Sequence, residues 1–169
     1  MGKKKRDTGK NFENEIRRSL KASRHIWWFR IQDTNDINRF VKQAVAEKQP
    51  ADFFTVYRGR PIMLEAKTSR NLTSFPLYYG SGRSIAKHQI DEGITLERKG
   101  GISLILIRRE EYRNKKVYAI TPNQAKFLYS KAYDKKSVKW NWFDDHAHIV
   151  ERLKAPLRWN IQKTYEEII

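Results

Sequence analysis

The chain has 169 residues, and its 35 Lys and Arg against 19 Asp and Glu give a formal net charge of +16. This length suits one domain with a sizeable core, and the charge favours a polyanionic partner, nucleic acid first and an acidic membrane surface second. The sequence has no cysteine, which excludes disulfides and thiolate zinc sites and makes a cytoplasmic location the simplest expectation. It also lacks an apolar run of about 18 residues, which excludes a membrane-spanning helix.

The N-terminal part predicts a basic arm, a helix and a strand. Residues 1–9 are expected to be a flexible arm without the apolar stretch of a secretory signal. Apolar residues then recur every fourth position at Phe12, Ile16 and Leu20, which predicts a helix with one buried face. Residues 25–31 predict a buried strand, with Trp27 and Trp28 in the core rather than serving as stacking platforms.

The remaining elements follow in alternation. Residues 36–45 predict a helix that Asp36 caps and Pro50 ends. Two β-rich runs, 53–57 and 62–66, surround Arg58-Gly59-Arg60-Pro61 and predict a hairpin. After a loop at 68–83 come a helix at 84–97, strands at 102–107 and 117–120, and a helix that begins at Pro122. This order predicts an α/β fold whose central mixed β-sheet is flanked by helices, with the segment after Lys139 unassigned.

The candidate site lies on this hairpin. Asp52 precedes the first run, and Glu65-Ala66-Lys67 ends the second. If Tyr57 pairs with Ile62 across a four-residue turn, Asp52 lies opposite Lys67 and Phe54 opposite Glu65. Residues that are directly opposed, or two apart on one strand, share a face of the sheet. Asp52, Glu65 and Lys67 would then converge, whereas Ala66 would face the other side.

Two carboxylates and a lysine in this arrangement suit phosphate chemistry. Carboxylates bind Mg²⁺ or Mn²⁺ while leaving positions open for water and phosphate oxygens, and the lysine can orient or deprotonate an attacking water. On spacing alone, a plain surface ion pair between neighbouring strands explains the same residues. The basic composition brings the two interpretations to even weight.

Five motifs in order resemble the RecU-type Holliday-junction resolvases of the PD-(D/E)xK nuclease superfamily, which also contains the archaeal resolvases. They are Gly9-Lys10-Asn11-Phe12-Glu13, the run from Asp52 to Lys67, Thr73-Ser74-Phe75-Pro76-Leu77, His88-Gln89-Ile90 and Gly100-Gly101-Ile102. The resemblance covers roughly residues 9–120 and implies a restriction-endonuclease-like core. It divides the chain into the arm, a nuclease domain at 10–130 and a C-terminal extension at 131–169 that packs on the core or builds a dimer interface.

The resemblance also implies roles for individual residues. Asp52 and Glu65 would bind Mg²⁺, for which Mn²⁺ can substitute, together with the Ala66 carbonyl, and Lys67 would position the water. Glu13 would reach the site from the first helix and Gln89 from the helix after the hairpin. Such enzymes are prokaryotic or viral homodimers that nick opposing strands of a four-way DNA junction during recombination and repair. From the residues alone, Glu13 and Glu15 border the apolar stripe equally well.

The residues expected near DNA phosphates are all basic: Lys3, Lys4, Lys5, Arg6, Lys10, Arg58, Arg60, Arg70 and Arg83. Three functions remain open. The first is a metal-dependent junction endonuclease, the second a restriction- or repair-type nuclease acting on linear or single-stranded DNA, and the third a basic DNA-binding protein without catalysis.

Overall fold

The computed structural model describes residues 8–31, 49–111, 115–131, 136–154 and 159–169. The helices in these ranges are α1 (Thr8–Ala22), α2 (Lys87–Arg98), α3 (Pro122–Lys131), α4 (Trp140–His146) and α5 (Ile161–Ile168). The strands are β1 (Ile26–Arg30), β2 (Phe53–Tyr57), β3 (Arg60–Ser69), β4 (Ser74–Pro76), β5 (Tyr78–Tyr79), β6 (Gly82–Arg83), β7 (Ile102–Arg109), β8 (Lys116–Ile120), β9 (Ser137–Lys139) and β10 (His148–Val150). The helix predicted at 36–45 and the basic residues Lys3 to Arg6 lie outside the described ranges.

Six strands form the central sheet in the order β1-β2-β3-β7-β8-β10. The pair β3 and β7 is parallel, and the other neighbours are antiparallel. A mixed sheet flanked by helices is therefore confirmed. The loop predicted at 68–83 is wrong in part, because β3 continues to Ser69 and the chain then forms β4, β5 and β6. β4 pairs with β9. Because these two strands are far apart in sequence, no local sequence pattern predicts their pairing.

Helices cover both faces of the sheet. On one face α1 and α5 pack against β2, β3, β7 and β8, and this core contains the predicted stripe, Phe12, Ile16 and Leu20, with no exposed surface. On the other face α2, α3 and α4 pack against β7 and β8. None of the described helices is long and apolar enough to cross a membrane.

The edge strand β1 differs from the prediction. Trp28 packs against the core of the α1 face, whereas Trp27 is 62% exposed and Phe29 53% exposed. The prediction that Trp27 belongs to the core is wrong, because successive side chains of a strand point to opposite faces. At this edge α1 covers one face, and the aromatic residues of the other face remain exposed.

Glycines fix the two turns that frame β3 and β7. Arg58 and Gly59 both have positive φ, 49° and 75°, which is the backbone of a two-residue hairpin turn whose twist matches the strands. At the end of α2, Gly100 has φ of 87°. The amide of Gly100 donates to the carbonyl of Glu97 and that of Gly101 to Leu96, so the helix ends in a Schellman motif and the chain turns directly into β7.

The segment after Lys139, which the sequence left unassigned, joins the main fold. β10 pairs with β8 at the edge of the central sheet. Trp159, Ile161 and Tyr165 are buried in the same core as the α1 stripe. This segment therefore completes the α1 face of the sheet.

Candidate active site

The β2–β3 hairpin sets the site, with a register that differs from the predicted one. Tyr57 pairs with Arg60 and Phe53 with Leu64, so the pairing of Tyr57 with Ile62 is wrong by two residues. Phe54 lies opposite Met63, and Asp52 comes level with Leu64 and Glu65 rather than Lys67. The error arises because the turn contains two residues rather than four. Arg58, the first of them, has a backbone conformation that residues other than glycine rarely adopt. A slip of two residues preserves the facing side, and the three predicted residues still converge.

Asp52 immediately precedes β2, at the end of its pairing with β3. Its amide donates to the Leu64 carbonyl at 3.1 Å, and its carboxylate Oδ2 accepts a hydrogen bond from the Ala66 amide at 2.8 Å. The side chain therefore takes the place of the next main-chain partner of β3. Because the N–H and C=O of one strand residue point to the same edge, the Ala66 carbonyl also faces the Asp52 side.

Burial and neighbouring charges change the pKa of the Asp52 carboxyl. The pKa of Asp52 is raised to about 7, because burial and then the neighbouring carboxylate of Glu65 raise it by more than the Ala66 hydrogen bond, Lys67 and Arg30 lower it. Two carboxylates held this close resist ionising together. A cation placed between them would relieve both desolvation and repulsion.

Glu65 is the most deeply buried of the predicted site residues and is 5% exposed. Its Oε1 atom lies 2.6 Å from Nζ of Lys67. Burial raises the pKa of Glu65, while Lys67 and a hydrogen bond from Gln89 lower it and Glu13 raises it. The Oε2 atom is buried and has no hydrogen-bond partner among the described residues, so it is available to a cation.

Gln89 is placed by the start of α2. Its Oε1 atom accepts a hydrogen bond from the Ala86 amide at 3.1 Å, which satisfies one of the amides that a helix start leaves unpaired. The same side chain lies close enough to Glu65 to lower the pKa of that carboxyl, so the start of α2 lies beside it. His88 points elsewhere, because its Nε2 atom lies 3.0 Å from the carbonyl of Gln49.

The two glutamates of α1 point in different directions. Glu13 forms an ion pair with Arg30 at 2.5 Å and lies close enough to Glu65 to raise the pKa of that carboxyl. Glu15 is buried and accepts a hydrogen bond from Arg108 at 2.8 Å. Glu15 therefore lies in the core, whereas Glu13 pairs with the last residue of β1, and Glu13 remains the glutamate that we expect at the site.

The donor set fits a magnesium-type ion. Among the described residues no three His, Cys, Asp or Glu side chains form a ready-made cluster. Mg²⁺ needs fewer protein ligands, since it keeps several waters and is held by one or two carboxylates and by substrate phosphates. Asp52, the Ala66 carbonyl and the Oε2 atom of Glu65, which has no hydrogen-bond partner in the described part of the chain, are oxygen donors of that kind.

The basic residues predicted to contact DNA are exposed where the structure describes them. Lys10 is on α1, Arg70 follows β3, and Arg83 lies over the ring of Tyr129 at 4.7 Å. Arg58 and Arg60 lie at the far end of the hairpin from Asp52, roughly 20 Å away for six strand residues.

Sequence reasoning missed Arg30. It ends β1, pairs with Glu13 and lowers the pKa of Asp52, so it links α1 to the site. The sequence offered one indication of this position. Ile26, Trp28 and Arg30 are two residues apart along β1, so their side chains share one face of the strand, the α1 face.

Comparisons with known proteins show the family of this chain. The family described as RecU, Recombination protein U, matches residues 8–164. Proteins named Holliday junction resolvase RecU are 32% identical over 59% of this chain in Shouchella clausii and 31% identical over 69% of it in Pediococcus pentosaceus.

These matches cover 45% and 56% of the relatives, so the chain spans about half the length of the curated relatives it matches. A solved structure of Archaeoglobus fulgidus Hjc, titled a Holliday junction resolvase, aligns with 80% of this chain and 92% of its own at 11% identity and a TM-score of 0.47. With nearly its whole length matched by the family's sequence profile, the chain belongs to the RecU family.

Proposed function

We propose that this protein is a metal-dependent, structure-selective DNA endonuclease that resolves four-way junctions. The observation that carries the proposal is the buried Oε2 atom of Glu65, which has no hydrogen-bond partner among the described residues, in a residue that pairs with Lys67. A buried carboxylate oxygen without a partner is costly, and a divalent cation would satisfy it. The relatives' printed name, Holliday junction resolvase, supports the choice of substrate.

Each residue has a role that its position supports. Asp52, Glu65 and the Ala66 carbonyl would hold Mg²⁺ or Mn²⁺, which when bound would stabilise charge on the phosphate and lower the pKa of water. Lys67, held by Glu65 at 2.6 Å, would orient the attacking water and stabilise charge on the phosphate. Gln89 fixes Glu65 from α2, and Glu13 completes the acidic edge from α1.

Exposed basic residues would bind the DNA backbone. Lys10, Arg70 and Arg83 lie in the described part of the chain, and the arginines of the hairpin tip extend the surface away from the cleft. The net charge of +16 supports binding that depends steeply on salt, with log affinity falling by about 0.9 for each duplex phosphate neutralised. Two copies acting as a homodimer would give paired nicks in opposing strands.

The deciding experiment compares a four-way junction with a linear duplex that contains the sequence of one arm, at equal salt and with Mg²⁺, Mn²⁺ or EDTA. We expect symmetric paired nicks in the junction, none in the duplex and none with EDTA. Equal cutting of the duplex would instead identify a restriction- or repair-type nuclease. Calorimetry that detects no Mn²⁺ binding, together with intact DNA, would leave a DNA-binding protein without catalysis.

A further inference from the structure

A buried cluster on the α1 face holds a charge pair that the proposed chemistry does not use. Arg108 has no exposed surface, and Glu15 is 6% exposed. Arg108 Nη1 donates to Glu15 Oε2 at 2.8 Å, and Nε1 of Trp159 donates to the same oxygen at 3.1 Å. The guanidinium also lies over the ring of Phe12 at 4.7 Å and pairs with Glu110.

This cluster connects α1 to the strand beside the site. Arg108 is on β7, whose preceding residue Ile107 pairs with Lys67 on β3. Glu15 is two residues from Glu13 on α1, and the chain of contacts continues from Ser19, whose hydroxyl accepts from the Trp159 amide at 3.2 Å. The catalytic strand and the helix that carries Glu13 are therefore joined by one hydrogen-bonded group.

Stability alone is a poor reason for burying this pair. Replacing a buried ion pair by apolar residues of similar volume is often neutral or stabilising. A directional pair does what an apolar contact does not, because it fixes the rotation of a helix. With side-chain ends about 6 Å from the axis, a rotation of 20° would move the Glu13 carboxylate by about 2 Å.

We infer that Glu15 and Arg108 are positioning residues: they set the rotation of α1 so that Glu13 stands beside Glu65 and shapes the metal site. The inference rests on the proposed function, since it assigns Glu13 a share in metal binding. Without this pair, α1 would still pack through its apolar stripe, but its rotation would be less defined. The loss would fall on metal affinity, transmitted by Glu13.

The test uses the double variant E15M/R108M, alone and combined with E13Q, and measures Mn²⁺ affinity by calorimetry beside thermal stability. In the wild-type background we expect the double variant to remain folded and to bind Mn²⁺ about 10-fold more weakly, the scale of lost supporting contacts around a metal. In the E13Q background the same pair of substitutions should change the affinity less than about twofold, because coupled sites are not additive.

Two results would overturn the inference. Unchanged Mn²⁺ affinity in E15M/R108M would make the cluster purely structural, and an equal loss in both backgrounds would show that it does not act through Glu13. If E15M/R108M fails to fold, E15Q replaces it, with a weaker affinity expected and an unchanged one contradicting the inference. Wild-type protein that neither binds Mn²⁺ nor cuts junctions would remove the proposed function and this inference together, whereas normal cutting by a double variant with unchanged affinity would remove the inference alone.

Discussion

Two glutamates of this protein are buried to the same extent and differ in how their carboxylates are satisfied. Glu65, on the α2 face of the sheet, is 5% exposed, and Glu15, on the α1 face, is 6% exposed. Each has a cation beside it, Lys67 and Arg108 respectively. One Glu65 oxygen has no partner among the described residues, whereas a Glu15 oxygen receives two donors.

Under the proposed function, the difference separates a carboxylate that would bind a metal from one that joins α1 to β7. The guanidinium of Arg108 and the indole N–H of Trp159 both donate to the Oε2 atom of Glu15, which ties that carboxylate to β7 and to the C-terminal segment. A lysine is a compact charge that occupies one oxygen and leaves the other to a cation. The buried Glu65 oxygen that has no hydrogen-bond partner among the described residues therefore supports the proposed role of Glu65 in metal binding.

The largest expected effect comes from Glu65→Gln, which keeps the shape and removes the charge. We expect junction cleavage with Mg²⁺ to fall by about 1,000-fold, since metal stabilisation of several kcal/mol is lost at 1.36 kcal/mol per decade. Junction affinity in Ca²⁺ should stay within about threefold because phosphate contacts dominate binding. Glu92→Gln, an exposed glutamate on α2, is the matched control and should cut normally. Undiminished cleavage by Glu65→Gln would remove the site assignment.

Arg108→Met alone should act on the other region and on stability. It leaves Glu15 buried without its guanidinium, and breaking one side of a buried pair costs about 3–5 kcal/mol of unfolding free energy. E15M/R108M should recover most of that loss. Chemical denaturation of both variants measures the difference, and equal destabilisation of the single and double variants would contradict the pairing.

Asp52→Asn should stabilise the metal-free protein in a pH-dependent way. The folded-state pKa of about 7 lies above the ordinary value of 3.8, so the native state holds the proton more tightly. The resulting stability is fully present below pH 4 and is lost as the pH rises through 7. At pH 8 we expect Asp52→Asn to exceed wild type by about 2–4 kcal/mol, given about 1.4 kcal/mol per pKa unit.

Denaturation in EDTA at pH 4, 6 and 8 tests this sign. The advantage of Asp52→Asn should vanish at pH 4 and grow toward pH 8, and excess Mg²⁺ should reduce it by stabilising the wild type alone. An advantage that is independent of pH would show that the carboxylate of Asp52 is not desolvated.

Parity explains how much of the site the sequence could predict. The predicted hairpin register was wrong by two residues, yet a strand repeats its facing every two residues, so the shared side of Asp52, Glu65 and Lys67 survived. The two-residue turn was harder to predict, because it requires a positive φ at Arg58, which is rare for residues other than glycine. The apolar patterns of α1, β7 and β8 were strong enough to locate these elements.

The features that could not be predicted from the sequence depend on contacts between residues that are distant along the chain. The choice between Glu13 and Glu15 is made by Arg108 and Trp159, which are 93 and 144 residues from Glu15 along the chain. Arg108 follows a continuous apolar run, so nothing local indicates that its guanidinium is buried. The exposure of Trp27 likewise depends on β1 lying at the sheet edge, which only the assembled topology defines.

The smallest expected effect comes from removing one hydrogen-bond donor to Glu15, the indole N–H of Trp159. Trp159→Phe keeps an aromatic ring in a position that is 2% exposed but removes the N–H that Glu15 accepts, which should cost about 1–2 kcal/mol. Trp27→Phe, the same change at a 62% exposed site, should stay within about 0.5 kcal/mol. In the E15M/R108M background the acceptor is gone, so Trp159→Phe should lose less there than in the wild type. An equal loss in both backgrounds would mean that Trp159 contributes through packing alone, and that Glu15 is less completely satisfied than its contrast with Glu65 requires.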